Sequence, residues 1–85
     1  MKAKITIRAK VRENIEDISI TTEFIKLDAF LKFAAIAETG GMAKAMIEEK
    51  NIFVNGEVCT QRGKKLHFGD TVIAGDRKFR VTKGE

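Results

Sequence analysis

Between Leu27 and Gly56 the sequence reads LDAFLKFAAIAETGGMAKAMIEEKNIFVNG. Two short apolar stripes are broken by Thr-Gly-Gly and followed by Ile52-Phe53-Val54 and Asn55-Gly56. Leu27, Phe30, Leu31 and Ala34 fall at i, i+3, i+4 and i+7, one face of a helix. Met42, Ala43, Met46 and Ile47 make a similar, shorter stripe. Neither stripe can hold a helix alone in water, so the two are expected to pack on each other and on a sheet.

The spacing predicts a first helix over 27–38 and a second from the Thr-Gly-Gly break to about residue 50. Asp28 complements the positive end of the first helix dipole. Thr39 is the expected N-cap of the second helix, and Gly40-Gly41 are expected to permit the close turn between the two. Asn51 is placed at the left-handed end of the second. Asn55-Gly56 is a hairpin signal, with 57–60 as the return strand. Gly69-Asp70 and Gly75-Asp76 mark two further turns around 71–74 and 78–82, so the C-terminal half reads as a small antiparallel meander. Upstream, 4–11 alternates strictly between charged and apolar residues, and Ile18, Ile20 and Thr22 continue a second alternating run. Residues 14–17 read as a turn, and the two strands are expected to pair as a hairpin across 12–17; the alternative is that residues 1–16 form an arm that orders on binding.

At 85 residues with 44% apolar content the chain makes one thin-cored domain. One cysteine and one histidine make neither an internal disulfide nor a zinc set. No apolar run approaches a membrane span, and the first residues lack a signal-peptide core, so a cytoplasmic protein is expected. The net charge is +4. Residues 1–16 carry five basic and two acidic side chains, whereas 17–85 carry 11 and 10. Within that near-neutral body Arg62, Lys64 and Lys65 cluster without an acid between them. A basic arm and a basic loop point to a polyanion.

These motifs, in this order, resemble the S4 RNA-binding domain family. The resemblance is carried by Lys26-Leu27-Asp28 with Phe30-Leu31-Lys32, then Thr39 with Ala43-Lys44 and Met46-Ile47. It continues through Ile52-Phe53-Val54-Asn55-Gly56 and ends in Gly69-Asp70-Thr71-Val72. It covers roughly 18–82, and the Thr-Gly-Gly-Met-Ala-Lys run and the basic loop look like those of small stand-alone bacterial S4 proteins. Gly40 stands where many S4 domains have Arg, and Lys50 where Gly is common.

The resemblance implies an α+β fold of the αL type, two packed helices against a small curved antiparallel sheet, with an extra N-terminal strand or hairpin. Residues 1–17 would form a basic extension and 18–85 the S4-like domain. It also implies a non-enzymatic protein that binds structured RNA, ribosomal or transfer-RNA-like, with the ribosome as its expected setting. Lys26, Lys32, Thr39, Gly40, Gly41, Lys44, Arg62, Lys64 and Lys65 are the expected RNA-binding residues. No cofactor, metal, membrane or small-molecule substrate is implied. Of the six phenylalanines most are expected in the core, with Phe33 off the main stripe as the best candidate for stacking on a base. The rival reading is a protein-interaction adaptor that offers its N-terminal edge strand to a partner.

Overall fold

The structure is a computed structural model that describes residues 15–84. Among these the order of elements is β1 (Ile15–Ile20), β2 (Ile25–Lys26), α1 (Leu27–Phe33), α2 (Gly40–Glu48), β3 (Ile52–Val54), β4 (Glu57–Val58), β5 (Lys65–Leu66), β6 (Thr71–Ala74) and β7 (Arg77–Lys83). One sheet has the order β1-β7-β6-β3-β4, and β2 pairs with β5 in a separate ribbon. The expected α+β layout of two helices and a sheet is present. The strand expected over 4–11, and its hairpin, lie outside the described residues.

The core lies between the helix pair and the sheet. Leu27, Phe30 and Leu31 of α1 and Ala43 and Ile47 of α2 are buried against Ile52, Val72, Phe79 and Val81. Phe30 and Phe79 meet edge to face at 6.0 Å between ring centroids, a favoured aromatic geometry. Only these two phenylalanines are fully buried. Phe24 is half-buried, and Phe33, Phe53 and Phe68 are exposed, which corrects the expectation that most would be core.

Both helices are shorter than their sequence spacing, for the same physical reason. After α1, Ala35 takes a left-handed conformation with φ 62°. Its N–H donates to the Lys32 carbonyl at 3.0 Å and that of Ile36 to Leu31 at 2.9 Å, a Schellman termination. The apolar Ile36 and Ala37 are thereby turned toward the core. At the end of α2, Lys50 has φ 65°, with Lys50 N–H donating to Ile47 and Asn51 N–H to Met46 at 3.0 and 3.2 Å. The left-handed residue is thus Lys50 and not Asn51.

The meander of β3, β4, β6 and β7 is antiparallel as expected. Asn55 and Gly56 both have positive φ, 52° and 88°, the requirement of a two-residue type I′ turn. The return strand is only Glu57–Val58. β1 departs from the expectation because it pairs with β7 in parallel, Ile15 opposite Lys78 through Ile20 opposite Lys83. The turn expected at 14–17 is instead strand over Ile15, Glu16 and Asp17. Those acids serve the pairing. Arg77 binds Glu16 through two bonds of 2.9 and 2.8 Å, and Arg80 binds Asp17 at 3.1 and 3.2 Å. Side chains alternate across a strand, so adjacent acids put one ion pair on each face of the sheet. The hydrogen bonds from Arg77 hold the Glu16 carboxyl below its ordinary pKa.

Candidate nucleic-acid interface

Four of the sequence-predicted cations are gathered at the start of α1. Lys26 precedes the helix and stands opposite Lys65 in the β2–β5 ribbon. The loop before β5 is then tied to the helix end by its backbone. Leu27 N–H donates to the Lys64 carbonyl at 2.8 Å and Asp28 N–H to the Arg62 carbonyl at 3.1 Å. The first N–H groups of α1 therefore have protein partners and offer nothing to an anion. In exchange the loop presents Arg62, Lys64 and Lys65, all exposed, beside exposed Lys26. Lys65 Nζ sits 4.8 Å from the Phe24 ring centroid, a cation–π contact that orients it. Sequence reasoning missed Phe24 here because its partner is remote in the chain.

The start of α2 is built differently. Thr39 Oγ1 accepts from Met42 N–H at 3.1 Å, and the Thr39 carbonyl accepts from Ala43 N–H at 3.1 Å. Thr39 is the cap, as expected; its hydroxyl oxygen accepts that bond, which leaves the O–H proton available to donate. Lys44 lies one turn along and is 4.0 Å from Glu48. Lys32 is exposed in the last turn of α1, where a cation suits the helix dipole.

Glycine geometry separates structure from surface. Gly56, Gly69 and Gly75 have positive φ, and a Cβ on Gly84 would press on the Ile20 carbonyl at 3.3 Å. A Cβ at Gly40 or Gly63 would meet nothing within 4 Å, and one at Gly41 only Thr39 Oγ1 at 3.8 Å, with none of the three at positive φ. The expectation that Gly40-Gly41 make the interhelical turn is therefore corrected. Ala35 makes that bend, and the glycines lie in the ordinary first turn of α2. Of these three glycines without a steric role inside the chain, Gly40 and Gly41 belong to the predicted contact set and Gly63 lies within its basic loop.

Asn55 and Asp70 are the other motif residues the structure explains, and their role is internal. Asn55 Oδ1 accepts from Thr71 N–H at 3.0 Å, while its Nδ2 donates to Asp70 Oδ1 at 3.2 Å. Asp70 Oδ2 accepts from His67 N–H at 2.7 Å. Among the described residues there is no group of three His, Cys, Asp or Glu side chains placed to hold a metal, and no helix long and apolar enough to cross a membrane.

Residues 18–82 match the S4 domain family. The chain belongs to the S4 domain family. It is 48% identical over 65 residues to the probable ribosome maturation protein RlbA of Bacillus subtilis (strain 168), spanning 75% of this chain and 92% of that relative. The family assignment agrees with the two helices and the mixed sheet of the α+β fold.

Proposed function

We propose that this S4 domain is a non-enzymatic RNA-binding module that grips the phosphate backbone of structured RNA and acts in ribosome assembly. The observation that carries this reading is the clustering of Lys26, Arg62, Lys64 and Lys65 at one helix end, fixed by backbone bonds from Leu27 and Asp28. Holding the loop through its backbone leaves the cationic side chains outward, as phosphate contacts require. Gly40 and Gly41 form a second phosphate seat, with N–H groups at a helix start and no Cβ to hold a phosphate away. Lys32 and Lys44 extend the positive surface along the two helices. The similarity to a probable ribosome maturation protein supports ribosomal RNA as the target and the cytoplasm as the setting.

The test is a salt titration of binding to structured ribosomal RNA fragments with duplex DNA as competitor. It compares the protein with a Lys44→Ala, Lys64→Ala, Lys65→Ala variant. The reading expects preference for RNA and a log–log salt slope shallower by roughly two to three in the variant. An unchanged slope would place the contact surface elsewhere.

A further inference from the structure

Phe33 is 62% exposed, the most exposed large apolar side chain among the described residues. It ends α1 and forms one wall of a groove of about 250 Å³ lined by Ser19, Ile20, Thr21, Thr22 and Ile25. Ile20 and Ile25 supply apolar surface; of the hydroxyl residues, Ser19 Oγ pairs with Thr82 Oγ1 at 3.1 Å and Thr22 Oγ1 donates to the Phe24 carbonyl at 2.7 Å. Leaving a phenylalanine in water forgoes the gain of burying it.

Lys26 immediately precedes α1 and Phe33 ends it, so the two stand at opposite ends of a seven-residue helix about 10 Å long, and Ile25 of the groove is the chain neighbour of Lys26. Lys32, adjacent to Phe33, is also exposed. The basic loop of Arg62, Lys64 and Lys65 lies at the start of that helix. The aromatic ring thus has Lys32 beside it and the basic loop one helix length away, cations that an apolar protein partner would have to desolvate. A flat apolar group carried on a polyanion meets both demands.

We propose that Phe33 and the groove behind it seat one unpaired base of the bound RNA. The base stacks on the Phe33 ring, and its edge lies along Thr21 and Thr22, while the flanking phosphates run along α1 toward Lys26 and the basic loop. Thr22 Oγ1 can still accept although its proton goes to the Phe24 carbonyl. This rests on the RNA-binding reading above and adds a site for the base to it. Stacking tolerates any base, so the site selects unpaired over paired RNA before it selects sequence.

The test uses an RNA hairpin with an unpaired loop and a blunt RNA duplex of equal length, with Phe33→Ala, Phe33→Leu and Phe33→Trp. Phe33→Ala is expected to weaken hairpin binding roughly 5- to 150-fold, the range of one base–aromatic stack, with the salt slope and duplex binding unchanged. Phe33→Leu keeps an apolar surface without a π face and is expected to lose most of that affinity as well. The chain has no tryptophan, so Phe33→Trp places one fluorophore at the seat, and the hairpin is expected to quench it where the duplex does not. Hairpin binding by Phe33→Ala equal to that of the unaltered protein, or indole emission of Phe33→Trp unmoved by a bound hairpin, overturns the stacking site and leaves the phosphate grip standing. Failure of the unaltered protein to prefer either RNA over duplex DNA overturns both.

Discussion

The Asn55 side chain bridges two turns, its Oδ1 accepting from Thr71 N–H at 3.0 Å and its Nδ2 donating to Asp70 Oδ1 at 3.2 Å. Asn55 also tolerates the left-handed φ that the β3–β4 hairpin demands. Asn55→Ala removes the bonds and strains the turn, so a loss of about 2 kcal/mol is expected. Asn55→Gly removes the bonds alone and is expected to lose about half as much. Thermal denaturation checks both, at roughly 4–8 °C per kcal/mol for a domain of this size. RNA affinity of the folded variants is expected to stay unchanged.

Gly40 and Gly41 make the opposite prediction. Alanine fits both positions sterically, and replacing a helical glycine stabilises by about 0.4–1 kcal/mol per site. Gly40→Ala with Gly41→Ala is therefore expected to melt higher and to bind RNA more weakly, because two methyl groups now hold a phosphate away from the helix start. A filter-binding titration beside a melting curve separates the two effects. A variant both more stable and equally tight would leave that helix start without a phosphate.

The left-handed ends of the helices supply a third. Ala35 and Lys50 hold φ near 60° without being glycine, so Ala35→Gly and Lys50→Gly each trade relieved strain against a more flexible unfolded chain. A net gain of about 0.5–1 kcal/mol is expected at each, read by chemical denaturation.

The fourth concerns pH. Arg77 holds the folded Glu16 carboxyl below its ordinary pKa, so protons bind it more readily once β1 is released. The ion pair's contribution is complete above the ordinary glutamate value of about 4.3 and fades as pH falls through the lower, folded value. Protection of the β1 amides, taken relative to their intrinsic exchange rates, is expected to fall over that acid range ahead of protection in β6, and Glu16→Gln is expected to flatten the response.

The two helices, the Thr39 cap, the Asn55-Gly56 turn and the β6–β7 meander are legible in the sequence because each rests on local chemistry: a stripe, a hydroxyl, a positive φ. The end of α1 is not, because Ala34-Ala35 are good helix formers and the stop comes from the need to turn Ile36 and Ala37 into the core. β1 misleads at Glu16 and Asp17, whose charges read as a turn until Arg77 and Arg80 supply their partners from the other end of the chain. In the candidate site, residue types are visible as a basic loop. Its docking on α1 through backbone carbonyls is invisible, since the side chains of Arg62 and Lys64 take no part in it.

The parallel pairing of β1 with β7 joins residues 63 positions apart, as in the contact of Ser19 with Thr82. Closing so long a loop is entropically late, and it follows the local hairpins that assemble β3, β4, β6 and β7. During synthesis the first described strand has nothing to pair with until the last has left the ribosome. The helix pair and basic loop, whose contacts span shorter stretches of chain, can take shape earlier. The surface proposed to grip RNA would then be ready before the sheet behind it is complete.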